Sequence, residues 1–529
     1  MNGRTIIVPV DGASNIKLEV FDFETLVCLH SASAPTPVQT AGGLAYNESG
    51  EEFAWLDGAI RSLPKELKRA AVISPVARGA SGGLIGHDNT LTEVPGEGLT
   101  LAYTQRYPEH VEERFRELAG SAGEFFAETG SIRDFPGSLT LIKRLVFEEI
   151  ERPDVLERSA AFAPLGILIT GHFLDSGYLR AWNAAGNEHS NWMCHTGARD
   201  IRVMPGTPSR LARKISSFGR LVPPETSVAY RPVGVMPAHQ ASALGLPDDV
   251  TVTPGGHDTC ISHIPVMSTF FRSFPVMRGK PVIQVEAGSW TMVARIGGSA
   301  DLPPDGFLRD LLVQGTVDGE PVVTARYGGG NDFREAKRIV EAAGGVFSAG
   351  PDERLLEHIA GAADCFVLPN ISPVNHGTGP FPDLLGRIVN ERFLLTHPGA
   401  AHIVTTLATA LAAAVQVEAV SGDRGVPLII TAGGAKDPYY ARLLATFTGR
   451  AVHAPFDRDG HPVTETTSLG AAITGKAACL GIHPYGVDTG SLRIEYREVE
   501  RYGGGIARRL AGYRRRWIEA VRNFLKKHP

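Results

Sequence analysis

The sequence predicts an α/β protein with two or three domains, and three observations lead to this prediction. At 529 residues, the chain is too long for one ordinary hydrophobic core. Short β-branched runs alternate with segments in which apolar residues recur at helical spacing. Strand–turn–strand patterns at residues 5–21 and 282–295 share one layout, which suggests that the two halves are related internal copies.

Composition and charge exclude several classes of protein. Hydrophobic residues make up 43% of the chain and charged residues 21%, as in globular proteins. The net charge of −5 offers no basic field, so neither nucleic acid nor a membrane is an expected partner. Five scattered cysteines without a CxxC spacing argue against a disulfide framework and a structural zinc. No signal-like apolar core follows Met1, and we expect a cytoplasmic protein.

Hydrophobic spacing predicts the elements of the chain. Strands are expected at 5–10, 70–74, 166–173, 250–252, 282–286, 292–295 and 427–431, and helices at 110–127, 138–150, 154–162, 333–343, 352–363 and 401–420. Residues 369–382, rich in Pro, Gly and Asn, are a predicted loop. The Arg-rich tail, 493–529, is predicted to be an amphipathic helix whose charges form a solvated face rather than a nucleic-acid surface.

The segment TPGGHDTC, residues 253–260, is the first candidate site. It follows a short strand and precedes a helix, and its two glycines allow a sharp turn and a close approach to a ligand. Asp258 then lies where a carboxylate can serve as a general base. The alternative is that Asp258 only caps the helix that follows.

Two further turns have the composition of anion-binding loops. In the first hairpin, the amides and hydroxyl of Gly12, Ser14 and Asn15 can surround an anionic oxygen, and Lys17 adds positive charge. The alternative there is an ordinary hairpin turn with a solvated lysine. Near the end of the chain, a buried strand is followed by Gly433 and Gly434 at the start of a helix, which suits a nucleotide.

In combination, these segments resemble the FGGY carbohydrate kinases. The most specific match is residues 432–445, AGGAKDPYYARLLA, with Gly449 and Arg450, which is similar to the adenosine-loop motif of that family. Further matches occur in the same order along the chain as in the family: Lys143, 153–156, 170–171, Pro369 with 379–380, and Glu465 with 469–472. The resemblance therefore extends from about residue 5 to 485. GGHDTC, 286–290 and 194–196 look closest to the rhamnulokinase and fuculokinase branch.

The resemblance implies two actin/hexokinase-like (ribonuclease H-like) domains with an active-site cleft between them. Residues 1–255 would bind the sugar, residues 256–485 the nucleotide, and residues 486–529 would form a helix packed on the second domain. Asp258 takes the position of the catalytic base that deprotonates a sugar hydroxyl during its attack on ATP. A small sugar, either a ketose or a polyol, and ATP are the implied partners, and a homodimer is left open.

The resemblance also assigns the residues that would hold ATP and magnesium. The phosphates would meet the first hairpin turn and a second turn, and adenosine would lie on a small-residue loop; the residues are Gly12, Ser14, Asn15, Lys17, Gly288, Ser289, Gly433, Gly434 and Ala435. Mg²⁺ would offset the phosphate charge, with Asp11 as its candidate ligand. The family's Asp-x-Gly, however, has its Asp at the position of Val10 here, and Ala432 replaces a usual third glycine.

Arg78, Gln105, Trp192 and His195 are candidate sugar-binding residues from position alone. His257 is a further candidate, and the alternative is that it orients Asp258. A Cys194–His195 nucleophile pair is disfavoured, because adjacent residues of a strand face opposite sides. The alternative function is a catalytically impaired sensor of sugar or nucleotide, which the altered first loop supports. A chaperone-like member of the wider superfamily is the third hypothesis, against which Asp258 and the adenosine loop argue.

Overall fold

The computed structural model describes residues 3–94, 96–175, 209–222, 227–298, 302–347, 352–362 and 365–527. The chain forms two compact units. The first comprises Met1–Arg278, Val313–Val322 and Glu465–Arg493, and the second comprises Gly279–Leu312, Val323–Thr464 and Ile494–Pro529.

The strands within these ranges are β1 (Thr5–Asp11), β2 (Asn15–Asp22), β3 (Cys28–Pro35), β4 (Val38–Ala41), β5 (Leu44–Asn47), β6 (Ala70–Ile73), β7 (Val76–Ala77), β8 (Gly82–Gly86), β9 (Thr100–Leu101), β10 (Ser159–Pro164), β11 (Gly234–Val235), β12 (Thr251–Val252), β13 (Gly256–His257), β14 (Val282–Ala287), β15 (Thr291–Ile296), β16 (Leu311–Gly315), β17 (Pro321–Tyr327), β18 (Phe366–Val367), β19 (Ile388–Val389), β20 (Leu428–Ala432), β21 (Val452–Phe456) and β22 (Glu495–Glu498).

The α-helices are α1 (Ser49–Ser62), α2 (Glu109–Ala119), α3 (Ala122–Thr129), α4 (Leu141–Glu151), α5 (Pro153–Arg158), α6 (Leu165–Leu174), α7 (Phe218–Leu221), α8 (Ala238–Leu244), α9 (Asp258–Ser273), α10 (Gly329–Ala342), α11 (Glu353–Ala362), α12 (Glu391–Thr396), α13 (Ala400–Val420), α14 (Gly433–Lys436), α15 (Pro438–Thr448), α16 (Thr466–Leu480) and α17 (Gly504–Lys527).

The main sheet of the first unit has the order β11-β12-β6-β1-β2-β3, and β7 joins β1 to β13. β1 is parallel to β6 and antiparallel to β2. On one face, α16 lies so close to β1 that a Cβ on Gly475 would be 3.3 Å from Ile6 Cγ2. A hydrophobic core that includes Ile7, Leu56 and Leu145 joins the sheet to α1 and α4. The sheet is therefore covered by helices, and its strand ends carry the candidate site.

The sheet of the second unit has the order β16-β17-β15-β14-β20-β21-β22. β14 is antiparallel to β15 and parallel to β20, just as β1 is antiparallel to β2 and parallel to β6. Each predicted strand–turn–strand pattern is thus the central hairpin of its own sheet. This shared topology agrees with the prediction of two related halves.

Two helices of the second unit were also anticipated from their composition. α13 is long and apolar enough to cross a membrane by length and composition, but 83% of its most apolar window is buried, as in the core helix of a globular protein. α17 packs through Tyr513, whose hydroxyl donates to the Cys365 carbonyl at 3.0 Å, and Trp517, whose indole N–H donates to the Val367 carbonyl at 3.0 Å. The basic tail is therefore anchored by buried aromatic side chains.

The predicted domain boundaries after residues 255 and 485 differ from this division into compact units. α9 and α16 both belong to the first unit because they pack against each other: a Cβ on Gly470 would lie 2.2 Å from the Ile261 carbonyl oxygen. The predicted boundaries remain a proposal about how the sugar and nucleotide functions divide.

Four predicted elements differ in the structure. In the tail predicted to be a helix over 493–529, strand β22 comes first and helix α17 begins only at Gly504. Residues 166–173 form helix α6 rather than a strand, because a run that is apolar on every side has no readable period. The helix predicted at 154–162 ends at Arg158, and β10 begins at Ser159. The helix predicted at 110–127 is interrupted by Gly120, at φ 78°, followed by Ser121 as an N-cap whose side chain accepts from the Glu124 N–H.

Candidate active site

Asp258 lies where a strand leads directly into a long helix. β13 ends at His257, and Asp258 is the first residue of α9. The Asp258 side chain is 36% exposed, and its Oδ1 accepts from the Thr259 N–H at 2.7 Å. The His257 Nε2 lies 2.9 Å from the same oxygen, and the His257 Nδ1 lies 3.5 Å from Cys260 Sγ. A neutral imidazole protonated at Nε2 satisfies both contacts, because it donates to the carboxylate and accepts from the thiol.

This geometry accommodates both roles predicted for Asp258. Oδ1 accepts from the Thr259 N–H in the first turn of α9, although the N-cap residue of this helix is His257. Within the part of the chain that the structure describes, Oδ2 receives no hydrogen bond, so it can accept a proton. His257 was predicted either to bind sugar or to orient Asp258. Its contact with Oδ1 is the one that an orienting residue would make, and the sugar-binding role stays a prediction.

The two glycines before His257 are required by packing. A Cβ on Gly255 would lie 1.8 Å from the Gly166 carbonyl oxygen, and a Cβ on Gly256 would lie 2.4 Å from Ile261 Cγ1. The close approach predicted from these glycines is therefore made to the backbone of α6 and to a side chain of α9. It fixes the entry of the chain into α9, and hence the position of Asp258.

The first predicted phosphate loop is a tight turn between β1 and β2. The Gly12 N–H donates to the Asn15 carbonyl at 3.0 Å, and the Gly12 carbonyl accepts from Thr36 Oγ1 at 3.1 Å. Ser14 and Asn15 are exposed. The Lys17 ammonium pairs with Glu465 Oε2 at 2.9 Å, with the two side chains 30% and 52% exposed. Burial lowers the pKa of Lys17, but the glutamate outweighs it and leaves the pKa raised, so Lys17 is a cation.

The side chains of Asp11 and Lys17 lie on opposite faces of the β1–β2 hairpin. Val10 pairs across the hairpin with Lys17, Asp11 pairs with Ile16, and the register has no bulge. The Asp11 carboxylate is fully buried and hydrogen-bonded to the Arg78 guanidinium, whose Nη2 lies 3.5 Å from Glu52 Oε1. Burial raises the pKa of Asp11 well above its usual range; Arg78 opposes this rise, and Glu52 adds to it.

These residues do not fit a magnesium ion at the first turn. Mg²⁺ prefers an octahedron of oxygen ligands that includes several waters. Asp11 is 0% exposed and faces Arg78, and the family's carboxylate position is occupied by Val10. Within the described ranges, no group of three His, Cys, Asp or Glu residues has the arrangement of a metal site. Asp11 is therefore not placed as a ligand for Mg²⁺ at this turn.

The other predicted sugar-binding residues have different surroundings. The Arg78 side chain is 3% exposed and lies beneath the first turn. The Gln105 amide is held by backbone groups, since its Oε1 accepts from the Ala45 N–H at 2.8 Å and its Nε2 donates to the Arg106 carbonyl. Trp192 and His195 lie outside the residues that the structure describes. Of these candidates, the structure brings His257 next to Asp258.

The second turn, between β14 and β15, is closed by the start of α10. The Gly288 N–H donates to the Trp290 carbonyl at 3.1 Å, and the Asn331 N–H donates to the Ser289 carbonyl at 3.2 Å. The Arg334 guanidinium donates to Ser289 Oγ at 3.3 Å. Asn331 and Arg334 were not identified from the sequence. The signal that could have identified them is the run of glycines, 328–330, between a strand and a helix.

A buried carboxylate that the sequence analysis missed, Asp332, organises the predicted loop 369–382. Its oxygens accept from Tyr327 Oη at 2.5 Å, the Asn370 N–H at 2.7 Å, the Ser372 N–H at 2.9 Å and Asn375 Nδ2 at 2.6 Å. Burial raises the pKa of Asp332 to about 6, and these donors limit the rise. The loop is therefore held by α10, the same helix that contacts the second turn.

The predicted adenosine loop joins β20 to α14. A Cβ on Gly433 would lie 3.0 Å from the Ala287 carbonyl oxygen, and a Cβ on Gly434 would lie 2.7 Å from Ala287 Cβ, so both glycines pack on the end of β14. Ala432 has φ 57° and ψ −144°, a conformation that only glycine adopts readily. The position where the sequence departs from the family's third glycine is therefore a position of backbone strain.

Replacing Ala432 with glycine should relieve this strain. We expect Ala432→Gly to raise the free energy of unfolding by about 1 kcal/mol, since the lost strain exceeds the entropy cost of a new glycine. Thermal unfolding measures the change. Ala435→Gly, in the helical residues that follow, is the matched control and should lower the stability. A loss of stability in both variants would contradict the assignment of strain to Ala432.

Comparisons with known proteins agree with this architecture. Residues 279–480 match the family model described as carbohydrate kinase FGGY, C-terminal domain. No curated protein matches the chain. Among solved structures, a carbohydrate kinase from Novosphingobium aromaticivorans is 22% identical, with a TM-score of 0.70 over 98% of both chains. A ligand-bound xylulose kinase from Lactobacillus acidophilus is 14% identical, with a TM-score of 0.76 over 99% of both chains. Plasmodium falciparum glycerol kinase with ADP is 12% identical, with a TM-score of 0.73 over 99% of this chain and 98% of that one.

The similar structures share the fold of this chain, which confirms the predicted fold class of two actin/hexokinase-like domains. Residues 279–480 are thus similar to the C-terminal domain of the FGGY carbohydrate kinases, the family that the sequence resembles. The similar structures named above include xylulose and glycerol kinases, so the rhamnulokinase and fuculokinase branch stays a prediction.

Proposed function

We propose that this protein transfers the γ-phosphoryl group of ATP to a hydroxyl of a small sugar, either a ketose or a polyol, with Asp258 as the general base. The observation that carries the proposal is the Asp258 carboxylate at the start of α9, with Oδ1 held by His257 and Thr259. Within the described residues, Oδ2 remains without a hydrogen bond. The C-terminal FGGY domain supplies the kinase context.

In this mechanism, a sugar hydroxyl gives its proton to Asp258 Oδ2 while its oxygen attacks the γ-phosphorus. The new O–P bond forms as the bond between the γ-phosphorus and ADP breaks, and ADP leaves as the anion. The His257 N–H holds Oδ1 throughout, so the carboxylate keeps one orientation as its charge is neutralised.

The nucleotide is assigned to the small-residue turns that the resemblance identifies. In the first unit, the amides of the turn at Gly12 and the Lys17 ammonium would meet the phosphates. In the second unit, the amide of Gly288 and the hydroxyl of Ser289 would do the same, and the surface of Gly433, Gly434 and Ala435 would face adenosine. Arg334, through its contact with Ser289 Oγ, adds positive charge at that turn.

A second function, a sugar or nucleotide sensor with impaired catalysis, is favoured by one observation. Val10 occupies the position of the family's metal-binding carboxylate, and Asp11 is enclosed with Arg78 instead. A sensor would bind ATP or sugar without sustained turnover.

The experiment that separates the two functions is ADP formation from Mg-ATP over a panel of ketoses, aldoses and polyols, with ATP affinity measured by calorimetry. We expect one sugar to stimulate ADP release well above the sugar-free rate. ATP binding without stimulation by any sugar would replace the kinase proposal with the sensor.

A further inference from the structure

We propose that Asp11, Arg78 and Glu52 form a buried charge network that positions the first phosphate turn, and that Asp11 is a positioning residue rather than a metal ligand. The proposal rests on the proposed function, because it assumes that the turn at Gly12 contacts nucleotide phosphate. Asp11 was predicted as a metal ligand from the resemblance, and Arg78 as a sugar-binding residue from its position. Neither prediction included the positioning of the first phosphate turn.

The network is enclosed and connected directly to the turn. The side chains of Asp11 and Glu52 are 0% exposed, and that of Arg78 is 3% exposed. Arg78 Nη1 donates to the Asp11 carboxylate and, at 2.9 Å, to the Gly12 carbonyl. The Arg78 backbone N–H also donates to the Asp11 carbonyl at 2.6 Å. One arginine therefore holds both residues at the start of the turn.

Holding the Gly12 carbonyl sets the direction of the next amide. In a trans peptide, the C=O and N–H of one unit point in opposite directions. The Gly12 carbonyl points towards Arg78 Nη1 and Thr36 Oγ1, so the N–H of Ala13 is directed away from them. Without the network, this peptide could rotate and present its carbonyl oxygen, which repels a phosphate.

The charges of the network explain why Asp11 is unsuited to a metal. Two carboxylates face one guanidinium in a buried site, so full ionisation would leave an unbalanced negative charge. Burial and the neighbouring Glu52 raise the pKa of Asp11, which favours a shared proton and a neutral network. An asparagine at position 11 mimics the protonated carboxyl, whereas removal of Arg78 leaves two carboxylates without a partner.

The test is calorimetric binding of Mg-ADP, without sugar, to Asp11→Asn, Arg78→Met and Arg78→Lys. We expect Arg78→Met to weaken ADP binding at least about tenfold, which corresponds to the loss of one buried charged hydrogen bond. Arg78→Lys should recover part of the affinity, and Asp11→Asn should bind ADP within about threefold of the original protein. If the kinase is active, the sugar KM should stay unchanged in Arg78→Lys, since the network acts on the nucleotide side.

A second measurement addresses the metal and the fold. Binding of Mn²⁺ alone, followed by electron paramagnetic resonance, should be the same for the original protein and Asp11→Asn; a weaker affinity in the variant would overturn the proposal. If Arg78→Met does not fold, the neutral triple variant Asp11→Asn/Glu52→Gln/Arg78→Met removes the donor to Gly12 without leaving buried charge. If a folded Arg78→Met variant binds ADP as tightly as the original protein, the proposal is also overturned. If the original protein phosphorylates no sugar but the variants show the expected changes in ADP affinity, only the proposed function is contradicted.

Discussion

Replacing Asp258 with asparagine is expected to lower kcat for sugar phosphorylation by about 10²–10⁴-fold, the usual contribution of a general base. The amide keeps the shape and can still accept from the Thr259 N–H through Oδ1, so the contact with the first turn of α9 is kept. It cannot take the hydroxyl proton at neutral pH. ATP affinity should therefore stay within about threefold of the original, because the change affects the transferred proton rather than binding.

The measurement is steady-state ADP release with the best sugar of the panel, together with ATP binding by calorimetry. Asp248→Asn is the matched control, because this aspartate is exposed and lies ten positions before Asp258. It should leave kcat unchanged. Full sugar-dependent turnover in Asp258→Asn would contradict the assignment and leave Asp258 only its contact with the first turn of α9.

The second large effect is expected from Gly255→Ala. The added methyl group would lie 1.8 Å from the Gly166 carbonyl oxygen and 2.1 Å from the Gly166 carbonyl carbon, and both are backbone atoms that cannot rotate away. We expect a loss of at least about 4 kcal/mol in the free energy of unfolding, which is in the range of the most disruptive single substitutions. Urea unfolding of the purified variant, or its failure to accumulate as folded protein, measures this.

Gly58→Ala is the matched control for this substitution. Gly58 lies within α1, and a Cβ there would meet nothing within 4 Å. The same chemical change should therefore stabilise the protein by about 0.5–1 kcal/mol, the difference in helix propensity. Equal stability of Gly255→Ala and the original protein would show that α6 and the segment before α9 are not packed as described.

Much of the fold could be predicted from the sequence because its signals are local. The hairpins β1–β2 and β14–β15 were predicted from β-branched runs interrupted by small residues. Helix α13 was predicted from its high alanine content. α6 could not be predicted as a helix, because a segment buried on all sides has no polar face to mark the period. The division into compact units was equally inaccessible, since it depends on contacts between α9 and α16, about 200 residues apart in the chain.

The candidate site likewise has a part that could be predicted from the sequence and a part that could not. Asp258 and the turns at Gly12, Gly288 and Gly433 were found from short motifs, and their chemical roles stay predictions. The burial of Asp11 could not be deduced, because the sequence shows that it flanks Gly12 but not that Arg78 and Glu52 enclose it. Asp332 was missed for a similar reason, since its partners lie about 40 positions further along the chain.

The order in which the units appear along the chain has a consequence for biosynthesis. The first unit includes Glu465–Arg493, whose helix α16 covers β1 and packs on α9. A ribosome therefore releases most of the second unit, up to Thr464, before the first can close its core. Until then, the surface of β1 around Ile6 lacks its cover, which is the kind of exposed apolar strand that chaperones bind. The nascent chain should consequently depend on such protection until the segment Glu465–Arg493 has been synthesised.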